Sequence, residues 1–275
     1  MIIVGELINA SRKAVKSAIE ARDIESIKSL AKVHAGAKAD YIDVNAGVFY
    51  ENEAESLKWE IDQVFEAVPA VPVCIDSSSP KTIEIAVDHL RKKTNMVPMI
   101  NSISLEKDRF ETLIPVLSGT DLKVVALCMT EQGVPETADQ RVFAAGNLIN
   151  GLVKNNIRLE NIYIDPLVQT LGTNSASGME FLNAVERIMN EFPGVHTICG
   201  LSNISFGLPA RKFLNQTFMV MAVARGLDGA ILNPLDKKMI ANIIAAEALA
   251  GKDNYCMKYL KSYRAGAIPG KETRL

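Results

Sequence analysis

Carboxylates and amides recur in this 275-residue chain at the ends of short apolar runs. Glu6 and Asn9 close GELIN, Asp43 and Asn45 lie in YIDVN, and Asp76 and Ser77 follow VCI. Asn101 and Ser102 follow PMI, Asp165 ends YID before Pro166, Ser202 and Asn203 end GLSN, and Asn233 precedes Pro234. These side chains accept and donate hydrogen bonds but are poor nucleophiles. One Asp can accept two parallel N–H bonds from an aminopyrimidine edge, while an Asn donates and accepts on another edge. The inventory therefore suits a neutral heterocycle with several N–H donors, such as a guanine-like or pterin ring. A phosphorylated ligand would want Arg, Lys or a Gly-rich helix start, and none stands at these positions. An oxygen-ligated divalent metal on Asp43, Asp76 and Asp165 is the alternative that the residues leave open.

Asp, Asn and Ser also follow strands simply because they cap the next helix. Several of these, however, sit inside the apolar run rather than in the turn beyond it. A carboxylate buried there is expensive unless something donates to it.

The elements that must position them can be read from the periodicity. Strands are expected at IIVGE (from Ile2), YIDVN (from Tyr41), VPVCID (from Val71), MVPMIN (from Met96) and KVVALCM (from Lys123). They continue with NIYID (from Asn161), HTICGLS (from His196) and GAILN (from Gly229). All are short and rich in Val and Ile, as parallel strands buried on both faces should be. Eight helical stripes lie between and after them. They begin with Ile24, Ile27, Leu30 and Ala31 behind Asp23 and end with Ile240, Ile243 and Ile244.

Eight strands alternating with eight helices demand parallel crossovers, and the number and size match a closed (β/α)₈ TIM barrel of α/β class. An open doubly wound sheet is disfavoured because no GxGxxG turn follows the first strand. Residues 1–251 are expected to form the barrel, and residues 252–275 a C-terminal helix or tail packed on its outside. In such a barrel the active site lies at the C-terminal ends of the strands, where these polar residues fall.

Composition narrows the function. Lys plus Arg number 30 against 32 Asp plus Glu, so no basic excess favours nucleic acid. The three histidines and four cysteines are scattered without CxxC, HxxxH or HExxH spacing, so no metal site of the protein's own is expected. Cys74, Cys128 and Cys199 lie in apolar runs and read as reduced thiols, which suits the cytoplasm. MIIVGELINA lacks the basic start and long apolar core of a signal peptide. No apolar run approaches the length of a membrane helix.

GELIN, DVNAG, CIDSS, MINSIS, YIDPL and GLSNISFG occur in that order. Together they resemble the pterin-binding, methyltetrahydrofolate-dependent corrinoid methyltransferases. That family includes the methyltransferase serving the corrinoid iron–sulfur protein and the folate domain of cobalamin-dependent methionine synthase. The resemblance covers about residues 1–265. It implies methyl transfer between N5 of tetrahydrofolate and the cobalt of a corrinoid, cobalamin in type, carried by a partner protein. Asp76, Asn101 and Asp165 would hold the pyrimidine edge, and Asn203 would be the catalytic contact to N5. Asp43 and Asn45 would support the ring, with Ser202 and Ser77 as further hydrogen-bonding partners. Arg211 would contact the folate tail or a loop carboxylate, or stand as a plain surface arginine. The family also implies a homodimer.

Two departures from the pattern matter. Phe206 follows GLSNIS, as in methionine synthase, where the iron–sulfur-protein methyltransferase has a glutamine. The ring edge is then packed rather than bonded there. The corrinoid-binding motif Asp-x-His-x-x-Gly is missing, so the corrinoid is expected on another chain. His34, His89 and His196 are read as structural.

The rival enzyme is a dihydropteroate synthase, but that would need an Arg-x-His pair near the last strand, where this chain has AILNPLDKK. A folate-binding subunit without turnover is a second rival. The methyl donor is not specified, and methylation of tetrahydrofolate in a demethylation pathway, such as that of glycine betaine, is the favoured direction.

Overall fold

The computed structural model describes residues 1–268. Eight parallel strands form one sheet in the order β7-β6-β5-β4-β3-β2-β1-β8. They are β1 (Ile2–Asn9), β2 (Tyr41–Asn45), β3 (Val73–Asp76), β4 (Met99–Ile103), β5 (Lys123–Leu127), β6 (Ile162–Asp165), β7 (His196–Thr197) and β8 (Gly229–Leu232). The ring closes between β7 and β8 through one isolated parallel bridge, Gly200 to Ile231. There Ile231 N–H donates to the Cys199 carbonyl at 2.9 Å. The chain is a single (β/α)₈ barrel.

Side-chain alternation builds the interior in layers. Val4, Tyr41, Cys74, Met99, Val125, Tyr163 and Ile198 pack as a cluster of their own. Their neighbours Ile42, Ile75, Ile100, Val124 and Ile164 instead join the larger core shared with the surrounding helices. A strand repeats its facing every second residue, so the next inward position is Asp43 on β2, Asp76 on β3, Asn101 on β4 and Asp165 on β6. Apolar filling thus gives way to a polar layer at the C-terminal end. At the opposite mouth, Tyr163 stacks on His196 with ring centroids 4.6 Å apart, and His196 Nδ1 lies 2.6 Å from Asp228. His196 therefore belongs to the N-terminal mouth, away from the polar layer.

The strict strand–helix alternation needs one correction. Ten α-helices occur among the described residues, because β1 is followed by two, α1 (Lys13–Glu20) and α2 (Ile24–Gly36). The others are α3 (Glu53–Ala67), α4 (Pro80–Arg91), α5 (Lys107–Leu117), α6 (Ala138–Lys154), α7 (Ser177–Glu191), α8 (Arg211–Ala224), α9 (Lys237–Leu249) and α10 (Met257–Arg264). Strand β7 is also shorter than HTICGLS suggested, since Leu201–Ser205 turns into a 3₁₀ helix. Helix α10 lies against α9, and Lys258 pairs with Glu247 at 2.6 Å. The tail beyond residue 268 falls outside the described residues.

Strand β1 departs from regular pairing with β2 between Gly5 and Ile8. The Leu7 N–H donates instead to Nε2 of buried His34 at 3.2 Å. Burial, and then the nearby Arg12 charge, depress the His34 pKa to about 4, so its imidazole stays neutral and can accept. Gly5 leaves room for this ring: a Cβ there would stand 2.9 Å from His34 Cδ2 and 3.2 Å from Pro234. Gly5→Ala is therefore expected to destabilise the fold by about 1–3 kcal/mol through overpacking. Thermal unfolding checks this, and an unchanged midpoint would show that the contact relaxes freely.

Candidate active site

Strand pairing brings the polar layer together. Asp43 pairs in register with Cys74, two residues before Asp76, and Asp76 pairs with Asn101. Across the ring, Asp165 is in register with Leu127. Asn45 Nδ2 donates to Asp76 Oδ2 at 2.8 Å, while its Oδ1 accepts from Gly47 N–H at 3.0 Å. The amide is thereby fixed in orientation, presenting its NH₂ to the carboxylate.

Asp43 is 1% exposed, and its Oδ1 has no hydrogen-bond partner. Burial pushes its pKa well up, and the charges of Asp76 and Glu6 push the same way. The side chains of Cys74 and Asn101 offset part of that by hydrogen bonding. Asp76 rises to about 6, mainly by burial, against the opposing pull of Asn45 and Arg109. Asp165 rises to about 7 by burial, although Leu167 N–H donates to Oδ1 at 2.8 Å and Gly200 and Arg141 also favour its charge. Glu6 also rises to about 7 on burial, with Arg12 lowering and Asp76 raising it. Four carboxyls thus share the mouth with less compensation than their charges require. Buried polar atoms are ordinarily paired, so the lone Asp43 oxygen marks a polar demand that the fold itself does not meet.

Two arginines from helices serve this layer, and the strand-end inventory missed both. Arg109 on α5 donates through Nε to the Ser102 carbonyl at 2.7 Å, through Nη2 to the Ser77 carbonyl at 2.8 Å, and through Nη1 to the Ser78 carbonyl. It ties the β3 and β4 ends together while its charge favours ionised Asp76. Arg141 on α6 is completely buried and donates to the Pro135 carbonyl at 3.2 Å. Its Nη1 has no partner, and its charge acts on Asp165. The sequence signal is weak, since an arginine inside an amphipathic helix ordinarily faces water. Glu53 is a third omission: this buried residue at the start of α3 accepts from Ser77 Oγ at 2.5 Å.

Ser77 therefore turns into the protein and not to a ligand. Asn203 and Ser202 lie exposed in the 3₁₀ turn at the β7 end. Arg211 donates through Nη2 to the Ser202 carbonyl at 2.6 Å and through Nε to Ser205 Oγ at 3.0 Å. It also lies 5.9 Å from the centre of the Phe206 ring. Within this structure Arg211 holds the turn that carries Asn203, and its expected loop carboxylate is replaced by a carbonyl and a hydroxyl. Phe206 is 67% exposed. The β6 loop braces the same turn: Leu171 N–H donates to the Ile204 carbonyl at 3.0 Å, and Thr170 Oγ1 to the Phe206 carbonyl at 2.8 Å.

Among the described residues, no three His, Cys, Asp or Glu side chains converge as a metal-holding group. No helix there is long and apolar enough to cross a membrane.

The raised carboxyls set the pH dependence of stability. Each has a folded pKa above its unfolded value near 4, so the folded state holds more protons between about pH 4 and 7. Stability from this source is full below the unfolded pKa and is lost as pH rises through the folded one. Asp43→Asn keeps the shape and removes the charge. At pH 8 it should raise the unfolding temperature of the ligand-free protein by about 2–4 °C, with a smaller gain at pH 5. A lower unfolding temperature at pH 8 would contradict this account.

Comparison with known proteins places this geometry in context. Residues 5–233 match the model of a family described as pterin binding enzyme. A methylcorrinoid:tetrahydrofolate methyltransferase of Eubacterium limosum is 41% identical over 270 residues, covering 98% of both chains. Methionine synthase of Mycobacterium leprae is 29% identical over 246 residues, which span 85% of this chain but only 20% of that protein. In structure the chain is similar to a dihydropteroate synthase from Xanthomonas albilineans in complex with 7,8-dihydropteroate. That match has a TM-score of 0.66 at 16% identity and covers 90% of this chain and 92% of the other.

Proposed function

From the premise that this chain belongs to the pterin-binding enzyme family, we propose that it is a methyltransferase acting between N5 of tetrahydrofolate and the cobalt of a corrinoid protein. The observation that carries this reading is the polar layer of the mouth, with its orphaned Asp43 oxygen and its three further under-compensated carboxyls. An aminopyrimidine edge offers several N–H donors to such acceptors. Near full-length similarity to a methylcorrinoid:tetrahydrofolate methyltransferase supports the chemistry.

In this proposal Asp76, Asn101 and Asp165 bind the pyrimidine edge, and Asp43 and Asn45 complete the seat. Asn203 contacts N5, with Ser202 beside it. The corrinoid, a cobalamin-type group on the partner protein, supplies a cobalt that can carry the methyl group. In the direction of folate methylation, the methyl leaves cobalt as a cation equivalent and cobalt keeps the bonding pair. The N5 lone pair forms the new C–N bond, and N5 then loses its proton. In reverse, N5 must carry positive character before it can leave. Asn203 stabilises that charge by accepting from the protonated N5, an interaction strongest near the transition state. No protein nucleophile is needed, and placing two partners in line supplies much of the acceleration.

The direction proposed is transfer from methylated corrinoid to tetrahydrofolate in a demethylation pathway, glycine betaine being one such methyl source. The protein is proposed to act as a homodimer in the cytoplasm, where its four free cysteines would stay reduced. Likeness to dihydropteroate synthase extends to the barrel, but the β8 end here runs Asn233-Pro234-Leu235-Asp236-Lys237-Lys238 without an Arg-x-His pair.

Methyl transfer from methylcob(III)alamin to tetrahydrofolate, followed by the cobalamin spectrum, tests this. Asn203→Ala should lose roughly tenfold to a hundredfold in rate, on the scale of a lost hydrogen bond to a charged group, while folate affinity changes less. Full activity in that variant would remove the assigned role. Separately, Asp165→Asn should weaken tetrahydrofolate binding by about 1–3 kcal/mol in calorimetry. Undiminished affinity would refute the pyrimidine-edge assignment.

A further inference from the structure

Among the described residues, Arg141 is the largest side chain to be buried completely, and the fold satisfies few of its donors. A guanidinium has five N–H groups to place. Nε donates to the Pro135 carbonyl at 3.2 Å, Nη2 reaches Gln169 Oε1 at 3.4 Å, and Nη1 finds no partner. Among the described residues Arg141 belongs to no ion pair. A charge buried on such terms costs stability, and a packed apolar side chain of similar volume would fill the space as well or better. Packing alone therefore does not account for an arginine here.

Arg141 stands in the first turn of α6 and links two loops of the mouth. Pro135 belongs to the loop after β5, and Gln169 to the loop after β6, four residues beyond Asp165. Asp165 is buried at the end of β6 and takes the Leu167 N–H on Oδ1. The titratable groups around this pair come from three further elements. Cys128 at the end of β5 faces both, Cys199 at the end of β7 faces Asp165, and Glu180 on α7 faces Arg141. Burial pushes both thiols up, so they stay neutral. Glu180 is engaged at the start of α6, accepting from the Ala138 N–H at 2.6 Å. Within this group Arg141 is the one cation, and Asp165 the one carboxyl of the polar layer.

The arrangement matters when a ligand arrives. A flat ring seated on the polar layer removes what solvent contact Asp165 retains, and desolvation favours the neutral acid. A neutral Asp165 would present its own O–H to an edge that also presents N–H groups, and an acceptor would be lost. A cation buried in the wall is not displaced by the ligand, and its pull on the carboxylate grows as the surroundings become drier. We propose that Arg141 is a positioning residue: its buried charge holds Asp165 as an acceptor for the pyrimidine donors while the ring shuts water out, and so sets the acid limit of folate binding. The proposal rests on the pterin reading of the mouth and adds what regulates it.

Calorimetric affinity for tetrahydrofolate between pH 6 and pH 9 is the test. Asp165 stands at about 7 with Arg141 in place, so the unaltered protein should bind about tenfold more weakly at pH 6 than at pH 9. An opposite charge lowers the pKa of an acid, so Arg141→Met should move that midpoint up by about one pH unit. Its affinity should then fall about tenfold further at pH 6 and hardly change at pH 9. Arg141→Lys should bring the midpoint most of the way back. In an Asp165→Asn background, Arg141→Met should add no pH-dependent loss. The other mouth carboxyls are common to all these proteins, so the differences between profiles isolate the pair. A merely structural arginine would weaken binding by one factor at every pH, and that result would overturn the proposal. Should Arg141→Met fail to fold, Arg141→Gln carries the same expectation, and a flat profile in the unaltered protein overturns the proposal without any variant. Absence of tetrahydrofolate binding to the unaltered protein at every pH would instead overturn the pterin reading itself.

Discussion

Holding several carboxylates out of water without a dedicated cation for each is the constraint on which the mouth of this barrel depends. Asp43, Asp76, Asp165 and Glu6 all have their acidity suppressed, and burial is the largest cause in each case. The surrounding structure limits the penalty without removing it. Asn45 is locked by Gly47 so that its NH₂ faces Asp76, Asp165 receives the Leu167 N–H, and Arg109 and Arg141 lend charge while giving most of their hydrogen bonds to backbone carbonyls. A ligand edge rich in N–H groups would complete what the protein leaves unfinished. The four raised carboxyls cost folded-state stability, as is common at functional sites.

Regular sheet pairing also lapses around this polar layer. Register shifts interrupt β1 between Gly5 and Ile8 and β4–β5 pairing between Asn101 and Ile103. Bulges of this kind re-aim side chains at barrel rims. At β1 the displaced Leu7 N–H needed a buried acceptor, and neutral His34 supplies it. A histidine that looks free in the sequence is thereby committed to supporting GELIN.

Strands were readable because inward and outward positions alternate between two apolar layers, so YIDVN matched Tyr41–Asn45 residue for residue. The site residues on those strands were readable for the same reason: a charged residue inside an apolar run stands out. Helix α1 was not, because KAVKSAIE has no side-chain cap at its start and is too short to display a convincing stripe. Strand β7 was overestimated because ICGLS is apolar enough for a strand yet turns to place Asn203. Arg109, Arg141 and Glu53 were hidden because their roles arise from long side chains reaching between elements, and no local pattern encodes reach. Similarity to dihydropteroate synthase at 16% identity adds a related lesson: the barrel persists where few residues do, so the shape alone could not have distinguished the chemistry.

The closure of the ring between β7 and β8 has a mechanical consequence. Every other neighbouring pair shares a ladder of backbone bonds, whereas this seam is joined by one bridge and by side chains on either side. Parting it breaks the fewest hydrogen bonds of any opening in the barrel, which makes it the weakest line of the wall. Asn203 hangs on one lip of that line, and the acid-bearing strands β1, β2, β3 and β6 are each joined to their neighbours by ladders elsewhere in the ring. The molecule is thus divided into a cross-linked wall that carries the polar layer and a single seam beside which Asn203 lies.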